Sequence, residues 1–198
     1  MALAAGLIAV LPVFAASAPP AVDSPEVWSR ALELLKPVSS EVALNARFMT
    51  GGAWFDVNDA GLGIRLTGSH ATNGVVKFSG RAGAGLSFEA RPLDNDRRPY
   101  GYQFVSQALS ARVTRFGDGF ILNGKAGGKP LDLTLRRDRM PDSYEVVGRD
   151  GTRLRAWITP GNAELRGRFD PEKMTPEGMA LLGAAVALMF SNGTAIRP

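Results

Sequence analysis

Four arginines in the stretch TRLRAWITPGNAELRGRF have the residue type and the spacing of an anion-binding surface. A short turn at Pro160–Gly161 predicts a β-hairpin. In this pairing Arg155 faces Arg166 and Arg153 faces Arg168, so that all four guanidinium groups share one face of the sheet. The alternate residues point to the core: Leu154, Ala156, Ile158, Leu165 and Phe169.

This arginine face has two interpretations. Like charges directly opposite each other destabilise a sheet slightly, and a bound anion or a neighbouring acidic strand would relieve that repulsion. The first interpretation is a site for an anion or a lipid headgroup. The second is an outer face whose arginines extend into water.

Three other segments bear a superficial likeness to functional motifs. NGKAGGKP (Asn123–Pro130) lacks the first glycine and the final Ser or Thr of a phosphate-binding loop, and is typical of a hairpin turn. DVNDAG (Asp56–Gly61) lacks the alternating ligands and the distal Glu of a calcium loop, and also favours a turn. His70 follows Ser69, but adjacent side chains point apart and do not by themselves form a hydrolytic site. We therefore predict no catalytic residue, metal ligand or cofactor.

Composition restricts the chemistry further. The chain has 198 residues, a net charge of +4, one histidine and no cysteine. These counts exclude disulfides, thiolate metal sites, cysteine nucleophiles and any site built from several histidines. The basic excess suits phosphate, anionic lipid or nucleic acid, but 19 acidic residues are interspersed with it, and an arginine-rich codon usage has the same effect.

The start of the chain predicts export. Residues 1–18, MALAAGLIAVLPVFAASA, form an apolar run followed by small residues, which is the pattern of a signal peptide. An uncleaved anchor is the competing interpretation, but Pro12 and the short apolar span oppose it. The mature chain would be periplasmic or secreted, and without a cysteine after the cleavage site it would not be a lipoprotein.

The mature chain, residues 19–198, is predicted to form a single β-rich domain. An amphipathic helix precedes Pro37, and from about Val42 to Phe169 the apolar residues alternate with polar ones. The clearest segments run from AWFDV to ELRGRF and are separated by short turns, which gives about ten to twelve antiparallel strands without a repeat of fixed length. So many strands in one small domain must form a closed barrel or a sandwich.

The segment GMALLGAAVALMF near the end of the chain has no polar face. Thr175 is a suitable N-cap, Pro176 suits the first helical position and Glu177 suits the positive end of the dipole. We predict a helix over residues 176–191, roughly 24 Å long, which is too short to span a bilayer comfortably. A helix that is apolar on all sides is a buried helix.

The stretch from Ser143 to Phe190 resembles the tubby C-terminal-like architecture, a group that includes LURP-one and phospholipid-scramblase-like proteins. A strand, a DG turn, two more strands and a proline-bearing loop lead into the apolar helix. The resemblance implies that the helix passes through the inside of a closed barrel. The rival arrangement is a lipocalin-like or sandwich domain with the helix packed outside.

Two functional hypotheses follow. The first is an exported, non-enzymatic binding module or cell-envelope-associated module for lipid or another anionic amphiphile, with peripheral membrane association and no nucleic-acid partner. The second is an exported hydrolase whose site cannot be identified from the sequence. The first is preferred because no catalytic constellation is evident.

Overall fold

The computed structural model describes residues 40–49, 52–94 and 100–191. The predicted signal peptide and N-terminal helix lie outside these residues. The described residues form twelve β-strands, one short 3₁₀ helix (Thr72–Gly74) and one α-helix, α1 (Pro176–Ser191). The strands are β1 (Ser40–Phe48), β2 (Trp54–Asp59), β3 (Ile64–His70), β4 (Val76–Ala82), β5 (Ala84–Pro92), β6 (Gly101–Val105), β7 (Leu109–Phe116), β8 (Gly119–Ala126), β9 (Lys129–Arg137), β10 (Ser143–Gly148), β11 (Arg153–Thr159) and β12 (Asn162–Phe169).

The strands form a closed antiparallel barrel rather than a sandwich. Each strand pairs with the next one along the chain, and β12 returns to pair with β1, with Ala43 opposite Arg166. Closure removes the exposed sheet edges that would otherwise template aggregation. The predicted mainly β fold is confirmed, and the barrel alternative is the correct one.

Helix α1 lies inside this barrel. It contacts β1, β2, β3 and β4 on one side and β8 on the other. Its residues are buried on every face, including Leu181 and Leu188, which point away from the larger apolar side chains. The predicted bounds and N-cap are also confirmed, since the Gly178 N–H donates to the Thr175 hydroxyl at 3.1 Å.

Glycine lets α1 approach β1 and β2 closely. A Cβ atom built on Gly183 would lie 2.5 Å from Cγ1 of Val57 and 3.0 Å from Cδ2 of Leu44. On the β2, β4, β5 and β6 walls, a file of stacked and tilted phenylalanine rings fills the interior, with centroids 5.0–5.9 Å apart: Phe55, Phe78, Phe88 and Phe104. Helix and rings together occupy the barrel interior.

The two ends of the barrel are defined by α1. At the proximal end, where the helix starts, the Thr175 hydroxyl donates to the carbonyl of Ala126 at the end of β8. At the distal end, where the helix finishes, Phe190 packs edge-on against Tyr144 and Ser191 lies beside Gly52. Because the strands alternate in direction, the β1–β2, β3–β4, β5–β6, β7–β8, β9–β10 and β11–β12 connections all lie at the distal end.

The register shows a threefold internal similarity, although, as expected, the chain has no repeat of fixed length. Three glycines with φ near +150°, each two residues before a buried residue, occupy equivalent positions in every fourth strand: Gly80 in β4, Gly124 in β8 and Gly167 in β12. Each lies opposite an inward residue of the preceding strand: Leu66, Ala111 and Leu154. The first strand of each unit has a related sequence, VALNAR in β1, LSFEAR in β5 and LDLTLR in β9. The barrel is thus three four-stranded units, whose connections differ in length.

Candidate anion-binding face on β11 and β12

The structure brings the four predicted arginines together on the outer wall. In the β11–β12 register Arg153 lies opposite Arg168 and Arg155 opposite Arg166, as the turn at Pro160 and Gly161 predicts. All four side chains are exposed. The residues predicted to face the core are all buried: Leu154, Ala156, Ile158, Leu165 and Phe169.

Two of the four arginines have carboxylate partners. Arg155 lies 3.7 Å from Asp138, which comes from the β9–β10 connection, and Arg166 pairs with Glu164 of its own strand. Glu145, opposite Arg155 on β10, is instead held by Arg136 of β9 at 2.7 Å. These acids relieve part of the repulsion between Arg155 and Arg166.

The other pair, Arg153 and Arg168, has no ion-pair partner within the described residues. Glu41 of β1 is the cross-strand neighbour of Arg168 but forms no ion pair with it in the described structure. The bend at Gly167 lies between Arg166 and Arg168 and brings the backbone of β12 close to that of β11. Two cations without an ion pair in the described structure therefore stand side by side on adjacent strands, with Glu41 across the sheet from Arg168.

This face is an open part of the barrel wall. Three surface grooves lined entirely by described residues lie elsewhere, and none includes these arginines or His70. In the groove along β8, β9 and the β10–β11 connection, Arg149 pairs with Asp132 at 2.8 Å. Its charges are thus partly satisfied within the protein, unlike those of Arg153 and Arg168.

The remaining sequence segments have structural positions. Asn123–Pro130 forms the end of β8, a glycine turn and the start of β9. In Asp56–Gly61, the buried Asp59 accepts hydrogen bonds from the N–H groups of Ala43 and Leu62, both at 2.9 Å, and so ties β2 to β1 and to the following turn.

The structure does not assemble a nucleophile and base from Ser69 and His70, because consecutive residues of β3 project to opposite faces. The His70 ring instead lies 6.1 Å from that of Phe55 at the distal end. Across the described ranges, no three acidic or histidine side chains come together as a metal site. Within the same ranges, no helix has the length and apolarity needed to cross a bilayer.

Sequence reasoning missed Asp138, the partner of Arg155. It belongs to the charged loop RRDRMPDS, and its position depends on the pairing of β9 with β10 and of β10 with β11. The fold and the site together define a twelve-stranded closed barrel with an internal helix and an arginine-rich outer face. Protein-family models, curated proteins and solved structures provide no match to the chain.

Proposed function

We propose that the protein is an exported, non-enzymatic module that binds an anionic amphiphile, such as a lipid with a phosphate headgroup, on the β11–β12 face. The observation that carries the proposal is the cluster of four arginines on one face, in which Arg153 and Arg168 are directly opposed and have no ion-pair partner among the described residues. Such a pair is slightly destabilising by itself. A ligand with negative charge would convert the cost into binding energy.

The filled interior supports binding at the surface. Lipocalin-like barrels hold their ligands in a central cavity, whereas here α1 and the phenylalanine file occupy that space. A ligand therefore meets the outer wall or an end of the barrel. The resemblance to tubby-like barrels implies the same arrangement of helix and barrel, and a relationship to that group is part of this proposal.

Guanidinium groups suit phosphate because their N–H donors form a planar fork that matches phosphate oxygens. Directly opposed residues on antiparallel strands have Cα atoms about 4.5–5.5 Å apart. Two arginines at that spacing, Arg153 and Arg168, can donate to the same headgroup. Arg155 and Arg166 would add less positive charge around the headgroup, because each already forms an ion pair, Arg155 with Asp138 and Arg166 with Glu164.

The threefold similarity provides a matched control. Arg65 and Arg81 occupy the equivalent places in the first unit and are also exposed, directly opposed and without an ion pair in the described structure. Thr67 and Ser79 stand there in the places of Arg155 and Arg166, so this face of the first unit has one arginine pair in place of two. Arg153→Gln with Arg168→Gln should weaken binding to phosphatidylglycerol vesicles by roughly tenfold or more, because two charge-assisted contacts are lost. Arg65→Gln with Arg81→Gln removes the same net charge and should change the binding much less.

Vesicle co-sedimentation at several salt concentrations measures this difference. Wild-type binding should fall as salt rises, because exposed charges are screened. Equal losses in the two double variants would mean that net charge alone attracts the protein, and the assignment of the β11–β12 face would be wrong. Binding that is unaffected by both double variants and by salt would reject an anionic ligand.

Export is the other part of the proposal. The apolar start of the chain predicts cleavage that leaves a mature N-terminus between Ala16 and Pro20. Intact mass of the protein recovered from the periplasm or medium of a bacterial host measures this directly. Recovery from the cytoplasm with residues 1–18 retained would contradict it.

A further inference from the structure

The exposed large apolar side chains of the described residues are concentrated at the distal end of the barrel. All of them except Val105 lie in the distal connections or within three residues of a strand end there. We call this set the apolar rim: Met49, Trp54, Tyr100, Phe116, Met140 and Trp157. Isolated apolar residues are normal on a protein surface, but their concentration at one end of a barrel needs a reason.

The apolar rim runs around the barrel mouth. Every distal connection, or a strand next to it, contributes at least one of these residues, with the exception of the β3–β4 connection. Phe116 at the end of β7 is 60% exposed, and Met49 after β1 is 52% exposed, so neither is part of the core. Side chains spread around most of a rim can touch a plane together, whereas a protein partner would contact a contiguous patch on one side.

The residue types also suit the surface of a bilayer. Tryptophan and tyrosine are enriched at membrane–water interfaces, where an apolar ring and a polar group are both accommodated. The Tyr100 hydroxyl accepts a hydrogen bond from Arg112 at 2.9 Å while its ring stays exposed. Its oxygen is therefore satisfied as an acceptor by the protein, and its O–H can donate to water or to a lipid headgroup.

Among the described residues near the apolar rim, charge is mixed and close to balance. The cations there without an ion pair in the described structure are Arg47, Arg137 and Arg139, and the corresponding acids are Asp56, Asp94, Asp118 and Asp142. A balanced rim neither attracts nor repels a charged surface strongly. Apolar contact would then dominate the interaction, which points to a lipid interface without net charge.

We propose that the distal end is a membrane-docking surface, which inserts the apolar rim into the interfacial region of a neutral lipid bilayer. This surface is distinct from the pair Arg153 and Arg168, which lies near the proximal end of β11 and β12, although Trp157 shares the outer face of β11 with Arg155. It would bind through apolar burial, without dependence on salt or on an anionic headgroup. It thus goes beyond the proposed function and can be tested apart from it.

The chain offers its own reporters. Two of its three tryptophans, Trp54 and Trp157, belong to the rim. In a Trp28→Phe background, emission comes from these two alone. On adding pure phosphatidylcholine vesicles at high salt, we expect a blue shift and quenching by lipids with brominated acyl chains.

The perturbation leaves both reporters in place. Phe116→Ser with Met140→Ser should lower the vesicle partition coefficient at least about tenfold, because two apolar side chains no longer insert. Val105→Ser, at the proximal end, is the matched control and should leave partitioning unchanged. Arg153→Gln with Arg168→Gln should also leave it unchanged, so failure of the arginine face does not affect this result.

Three outcomes would overturn the proposal. One is the absence of binding to phosphatidylcholine by the wild-type protein. Another is equal partitioning of the Phe116→Ser, Met140→Ser variant and the wild type. The third is a dimer in sedimentation that depends on Phe116 and Met140 without any vesicle binding, which would assign the rim to a second copy of the chain.

Discussion

Substitution of Gly183 by alanine sets two energies of opposite sign against each other. In an exposed helix the change would stabilise by about 1 kcal/mol, because alanine has the higher helix propensity. Inside this barrel the new methyl group would lie 2.5 Å from Cγ1 of Val57 and 3.0 Å from Cδ2 of Leu44. Overpacking of that kind costs roughly 1–3 kcal/mol. We expect a net destabilisation of roughly 1 kcal/mol.

A double-mutant cycle with Val57→Ala makes the test sharper. Val57 is fully buried, and its truncation alone should cost roughly 1–3 kcal/mol by leaving a cavity. In that background the Gly183→Ala methyl group no longer meets Val57 and has only the 3.0 Å approach to Cδ2 of Leu44 to relieve, while the helix propensity gain remains. Gly183→Ala should therefore destabilise the wild type clearly more than it destabilises the Val57→Ala variant.

Urea unfolding followed by tryptophan fluorescence and far-ultraviolet circular dichroism gives the four free energies of unfolding. Unchanged m-values would show that the variants differ in stability and not in the extent of unfolding. Stabilisation by Gly183→Ala in both backgrounds, with no coupling, would refute the close packing of α1 on β2.

Two further predictions concern the wall and the distal end. Gly124→Ala should destabilise by about 2 kcal/mol or more, because Gly124 has φ +151° and its added methyl group would meet the Ser110 carbonyl; Gly85→Ala has open space and should change the free energy of unfolding by less than about 0.5 kcal/mol. Thermal and urea unfolding of the two variants measure these changes in the free energy of unfolding. Equal losses of stability in both variants would show that the backbone bend at Gly124 does not require glycine. Burial raises the pKa of the Tyr144 phenol, so its neutral form is favoured in the folded state. The resulting stability is present below the ordinary tyrosine pKa and is lost as pH rises through the folded-state pKa. Between about pH 9 and 11 the wild type should lose more stability than Tyr144→Phe, and parallel losses would show that Tyr144 ionises freely.

Local signals in the sequence explain why part of this structure could be predicted. The bounds of α1 follow from Thr175, Pro176 and an apolar run, because capping and burial act within a few residues. The pairing of Arg155 with Arg166 follows from a short turn that fixes the register.

Features that depend on long-range pairing could not be predicted. Strand β1 is not among the clear strand segments, because alanine and asparagine weaken its β-propensity, yet its pairing with β12 closes the barrel. The threefold similarity is hidden by connections of different length. The apolar rim becomes evident only when every strand has been identified, because the alternation of strand direction decides which connections lie at the same end of the barrel.

We propose that an anionic amphiphile binds the outer wall at β11 and β12. Backbone amide and arginine Nε–Hε chemical shifts, recorded while phosphatidylglycerol nanodiscs are titrated into isotope-labelled protein, report such binding residue by residue. We expect the largest changes at Arg153 and Arg168, and we expect them to diminish as salt is added. Changes confined to the interior around α1, or to Arg65 and Arg81, with β11 and β12 unaffected, would contradict this proposal.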